Sequence, residues 1–256
     1  MKWTVPSFVL MLILSVPVYA FWGNSNLGFV FGNLAQIIGL VFAMSGYGNR
    51  ISDASKSHAT RRAWIQLTFG AFIWLLAQCL EIYCELVLNL IAYGTVADAI
   101  WVVGYVPIIL GLHTLIKCRA KENGFPWRSR IKILIPGVLA YAILFLLLIW
   151  PQIRVFDQPA AEAILDFTYP TLDFVLVAQS VVLASLSGSG RTYFRFAVLS
   201  GIAFTMTLIG DGVLSLVKDF NSILYLSVDV YYFSCYFLMA ISAEQESKQP
   251  ATVVIL

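Results

Sequence analysis

Six acidic side chains stand inside apolar stretches of this 256-residue chain: Glu81, Glu85, Asp98, Asp173, Asp211 and Asp229. Placing a carboxylate in lipid costs about 2.5–3.5 kcal/mol on insertion scales, so each is a functional-site candidate by default. Glu81 and Glu85 are four apart and share one face of a helix. No Lys or Arg accompanies the six at their depth. Such groups must be protonated, wetted by a vestibule, or paired with a cation from outside. The expected site is a polar pocket that accepts protons, a cation, or a cationic or polyhydroxyl ligand. Gln36, Gln78, Trp101, Tyr105 and Tyr236 complete its candidate lining. For Asp98, Asp173 and Asp229 the plainer alternative is a helix cap or a wetted helix end, whereas Glu81 and Asp211 lie deeper.

The elements that must position these groups are helices in lipid. The chain is 60% hydrophobic and 12% charged, against about 25% charged in an ordinary soluble domain. That excludes a soluble globular enzyme, a disordered segment and a nucleic-acid reader, because the apolar residues are too many for one water-exposed fold. Seven apolar runs, at 27–47, 64–92, 97–116, 133–150, 168–187, 196–217 and 224–243, approach or exceed the roughly 20 residues that a spanning helix needs. Helices satisfy their own backbone groups in lipid, so the expected fold is an all-α polytopic bundle of seven spans. Residues 1–20 read as a secretory signal, with Lys2, an apolar run from Phe8 to Val16, then Pro17 and a Val18-Tyr19-Ala20 ending. An uncleaved signal-anchor is the alternative.

Basic residues set the orientation. If residue 21 starts outside, fourteen of the sixteen Lys and Arg fall on the inner side and only Arg154 and Lys218 outside. The expectation is N-outside, C-inside, in a plasma (inner) membrane, with all six carboxylates in the outer half of the bilayer. The inner stretch carrying Lys117, Arg119, Lys121, Arg128 and Arg130 reads first as a topology determinant. It is also the candidate contact for a cytoplasmic signalling partner or an anionic headgroup.

A repeat is visible as well. Asp98, Trp101 and Tyr105 recur as Asp229, Tyr232 and Tyr236, 131 positions later. On that basis 21–117 and 152–243 form two parallel three-helix repeats. A basic loop and linker helix over 118–151 joins them, and 244–256 is a short tail, which makes a 3+1+3 plan with two units facing across a cleft.

Much chemistry is excluded. The two histidines, His58 and His113, cannot build a three-histidine zinc site, and Cys79, Cys84, Cys118 and Cys235 show neither metal nor disulfide spacing. His-Glu-x-x-His, nucleophile-elbow and phosphate-loop motifs are missing, and the last span has no lysine for a retinal Schiff base. No metal or cofactor is expected. Trp22, Trp64, Trp127 and Trp150 fall at span ends, where an interfacial belt is expected.

Through Asp98-x-x-Trp101-x-x-Gly104-Tyr105, Tyr169-Pro170-x-x-Asp173 and Gly210-Asp211, the chain resembles uncharacterised bacterial seven-span sensor-like membrane regions. These often precede histidine kinase or diguanylate cyclase output domains. With thirteen residues after Ala243, a sensor reading expects a separate output partner. Gly210-Asp211 also resembles the Gly-Asp of lysoplasmalogenase-type membrane hydrolases, which implies an acid–base pair drawn from Asp211 and Glu81 or Glu85. Three functions are therefore expected in this order: an ion- or ligand-sensing receptor, a small-solute or proton-coupled transporter, and an intramembrane lipid hydrolase.

Overall fold

The computed structural model describes residues 3–23, 25–52, 57–89, 95–123, 160–187, 192–216 and 223–245, with the isolated positions 135 and 139. These residues form seven helices and no strand: α1 (Thr4–Trp22), α2 (Asn26–Ile51), α3 (His58–Leu86), α4 (Val96–Asn123), α5 (Ala160–Ser187), α6 (Thr192–Leu216) and α7 (Ile223–Gln245). Six of them, α1 to α6, are long and apolar enough to cross a membrane. Five of these, α2 to α6, fall on expected spans; the run at 224–243 lies in α7, and the run at 133–150 lies outside the described residues apart from two positions. The 28 residues of α4 make a rod of about 42 Å at 1.5 Å per residue, longer than the roughly 30 Å hydrocarbon core.

Helices α2 to α7 pack in chain order into a closed ring, each against the next and α7 back against α2. Large side chains fill the centre, among them Trp64, Trp74, Phe196 and Phe204, all nearly or fully buried. Apolar side chains such as Leu34, Phe69, Leu76, Val106, Leu110 and Val181 point outward. A chain apolar both inside and outside needs lipid as its solvent, and the protein is a multi-pass helical membrane protein.

Contacts along the seams fix the relative directions of the helices. Neighbours α2/α3, α3/α4, α5/α6 and α6/α7 run antiparallel, as the pairs Asn33–Gln78 and Tyr47–Trp64 show for the first of them. The two remaining seams are parallel. Tyr169 meets Asp98 and, one turn on, Asp173 meets Tyr105 across α4/α5. Gln36 meets Asp229 and Gly46 meets Ala243 across α7/α2. Close approach at the second parallel seam depends on Gly32, Gly39 and Gly46, spaced by seven. A Cβ at Gly39 would come within 2.9 Å of the Tyr236 Cβ, and one at Gly32 would collide with the Asp229 carboxylate.

Helix α1 lies outside the ring, antiparallel to α7, in the groove that α7 makes with α2. Phe8 stacks on Phe237 at 5.3 Å between centroids. Thr4 donates to Glu244 at one end of α1, and Tyr19 donates to Asp229 across 3.0 Å at the other. Its opposite face, with Leu10, Ile13 and Val16, is exposed and apolar.

One expectation about the aromatics is corrected. Trp64, placed at a span end by the sequence, is fully buried. It packs against Tyr47 and, at 5.1 Å, against Phe196. α3 begins at His58, so Trp64 sits nearly two turns inside the helix, on the face turned to the core. Trp22, at the end of α1, is exposed as an interfacial ring would be, while Trp127 and Trp150 lie outside the described residues.

Candidate functional site

The ring's antiparallel alternation brings the last turns of α3 and α6 level with the first turns of α2, α4, α5 and α7. All six carboxylates gather at that end. At the opposite end stand Arg50, Arg61, Arg62, Lys117, Arg119, Lys121 and Arg195, with Glu122 and Glu244. Arg119 pairs with Glu122 and lies 3.5 Å over the Tyr193 ring. Among the described residues, no Lys or Arg shares the level of the six.

What the carboxylates have instead is neutral donors from neighbouring helices. Asp98 opens α4 and does two things. It accepts the backbone N–H of Thr95 at 3.1 Å, while Thr95 in turn accepts from Ala97, so the two residues cap the helix. Its other oxygen accepts the Tyr169 hydroxyl of α5 at 2.6 Å. Asp229, near the start of α7, accepts from Gln36 of α2 at 2.9 Å and from Tyr19 of α1. Each of these aspartates, 131 positions apart, thus takes a donor across a parallel seam.

Three residues after each aspartate, an aromatic reaches back to a carboxylate on the preceding helix. Trp101 donates its indole N–H to Glu81 at 3.1 Å, and the Tyr232 hydroxyl donates to Asp211 at 2.5 Å. Four residues further, Tyr105 donates to Asp173 at 2.7 Å. Tyr236 instead packs flat on Trp101, at 6.3 Å between centroids and 12° between planes, and flanks Trp74. The Trp74 indole donates to the Trp101 carbonyl at 3.1 Å. Gly104 makes room for this, since a Cβ there would strike the indole.

Two further polar pairs meet across antiparallel seams near this layer. Between α2 and α3, Gln78 donates its amide to Asn33 at 2.6 Å, both side chains buried. Between α5 and α6, the carboxyl groups of Asp173 and Asp211 are neighbours, with Thr207 beside Asp173; the Thr207 hydroxyl donates to the Phe204 carbonyl at 2.9 Å. Asp173 is 0% exposed. The Oδ2 atoms of both aspartates meet no donor. Unpartnered buried oxygens are costly in a close-packed interior.

All eleven candidates from the sequence fall in this layer or against it. Glu81, Asp98, Asp173, Asp211, Asp229, Gln36, Gln78, Trp101, Tyr105 and Tyr236 join the bonded and stacked set. Glu85 stands one turn beyond Glu81, half-buried. The sequence alone did not assign Tyr19, Tyr169 and Tyr232 as donors to these carboxylates. The spacing Tyr169-x-x-x-Asp173, one helical turn, is the signal that could have found the second donor face. Tyr19 was hidden by its position in the presumed signal segment. Comparison of the chain with protein families, with curated proteins and with solved structures finds no match.

Proposed function

We propose that this protein is a receptor-like membrane protein whose carboxylate layer is an ion- or ligand-binding site. The observation that carries the reading is the segregation of charge. Among the described residues, six carboxylates share one end of the ring with hydroxyl, indole and amide donors beside them, while the described Lys and Arg stand at the other end. Neutral donors orient a carboxylate without cancelling its charge, so the layer keeps an attraction for a cation. Trp74, Trp101 and Tyr236 add π faces next to Glu81, which suits an organic cation.

The finer topology belongs to the same proposal. Parallel packing of α4 on α5 requires the chain between them to return across the membrane, which supports a linker crossing at 133–150 and a 3+1+3 plan. The paired bonds at Asp98 and Asp229, and at Glu81 and Asp211, support two related three-helix halves. Basic residues at one end support N-outside, C-inside in an inner membrane, with the partner-binding stretch around Lys117 and Arg119 in the cytoplasm. The seating of Tyr19 and Thr4 supports α1 as a retained signal-anchor beside the ring.

Titration of the detergent-purified protein with choline and with sodium, followed by tryptophan fluorescence, tests the reading. A saturable response that Glu81→Gln weakens at least tenfold is expected. A wild-type protein that responds to neither ion overturns it. Proton-coupled transport is the second reading, favoured by the paired halves around the ring. Solute uptake into liposomes that follows an imposed proton gradient would select it.

A further inference from the structure

We propose that Asp173 and Asp211 form an acid pair that binds one exchangeable proton between their Oδ2 atoms. The inference deepens the carboxylate-site reading by naming the ligand of its most buried part, and it can fail separately from that reading.

The geometry restricts what can bridge the two oxygens. Tyr105 and Tyr232 have spent their hydroxyl protons on the Oδ1 atoms. That leaves the two Oδ2 atoms without a donor, and the two carboxyl groups face each other across the α5/α6 seam. Two ionised carboxylates at that contact repel strongly in a low dielectric. A metal cation would need several more oxygens than the pair supplies, and no cluster of three or more His, Cys, Asp or Glu side chains placed to hold a metal occurs among the described residues. A single proton satisfies both oxygens at once, turning one carboxyl into the donor for the other.

The neighbours favour that state. From α4 the pair is faced by Tyr105, from α5 by Asp166 and Tyr169, and from α7 by Tyr232, Cys235 and Tyr236, with the Thr207 hydroxyl on α6. None of these described neighbours is basic, so none of them replaces the proton as a counter-charge. Asp173 is closed off, whereas Asp211 as a residue is half-buried, its Oδ2 covered but the rest of it partly open. The proton therefore exchanges through Asp211, with Tyr232 beside the entry. Both oxygens of the pair belong to neighbouring helices, so occupancy by the proton sets how tightly the α5/α6 seam closes at this end.

Infrared difference spectroscopy on the protein reconstituted in phospholipid, without added ligand, tests the pair. The wild type is expected to show a protonated-carboxyl C=O band that shifts in D2O and is unchanged when sodium or calcium is added. Asp173→Asn and Asp211→Asn should each lose that band, because the amide N–H takes the place of the proton, while Glu122→Gln at the exposed far end of α4 should keep it. The wild-type measurement needs no variant to fold, and a missing band, or one abolished by either cation, overturns the proposal. So does a band that survives in both Asn variants. Failure of choline or sodium binding would leave this result untouched, so the two readings are separable.

Discussion

Two stretches of the ring, α2–α4 and α5–α7, close their first seams with different chemistry. Across α2/α3 the bridge is the neutral amide pair Asn33–Gln78, and across α5/α6 it is the carboxyl pair Asp173–Asp211. Both halves send an aromatic from the third helix to a carboxylate on the second, yet Trp101 uses an indole and Tyr232 a hydroxyl. Two amides hold a fixed set of protons and cannot change charge. Two carboxyls can gain or lose one. On the acid-pair proposal, the second half is the one whose charge can change.

That contrast can be broken or sharpened by substitution, with stability in detergent as the common readout. The largest effect is expected from Asp173→Leu. It leaves the Tyr105 hydroxyl and one Asp211 oxygen unpaired in the interior, at about 2–5 kcal/mol, and equilibrium denaturant unfolding should show it. The matching change in the first half, Gln78→Leu, strands only the Asn33 carbonyl and should cost less, about 1–3 kcal/mol in the same assay. Equal losses in the two variants would erase the distinction between the seams.

Smaller effects test the shared parts. Tyr232→Phe removes a hydrogen bond to a carboxyl and should lower stability by about 1–2 kcal/mol. Trp101→Phe should lower it by a similar amount and also quench less in the choline titration, since it takes away both donor and much of the π surface. The smallest loss, about 0.5–1.5 kcal/mol, belongs to Tyr19→Phe, because Asp229 keeps its bond from Gln36. A larger loss there would mean that α1 supports the ring more than its one-sided seating suggests.

Most of the architecture was legible in the chain. Runs of about 20 apolar residues mark helices whatever their neighbours are, because lipid leaves no other way to satisfy the backbone. Spacing also placed Glu81 next to Glu85 and Asp98 in register with Asp229. Trp64 shows where this reasoning stops. Its distance from the end of the apolar run said interface, but the helix extends further and turns that face inward against Tyr47 and Phe196. Asp98 shows a partial success. It caps α4 as a local reading suggests, and it also takes Tyr169 from 71 positions away, which no local pattern encodes.

The sequence by itself determined the solvent, the helices and the gathering of the six carboxylates away from the described Lys and Arg, since these depend on composition and on spacing along one element. Only the tertiary structure decided which carboxylate meets which donor. Closing six helices into a ring creates parallel seams between segments far apart in the chain, and there Tyr169 reaches Asp98 and Gln36 reaches Asp229. The same closure set Asp173 against Asp211 with no donor between them. Twelve per cent charge and a count of carboxylates could not distinguish that pair from two wetted helix ends, because the difference lies in what surrounds each oxygen.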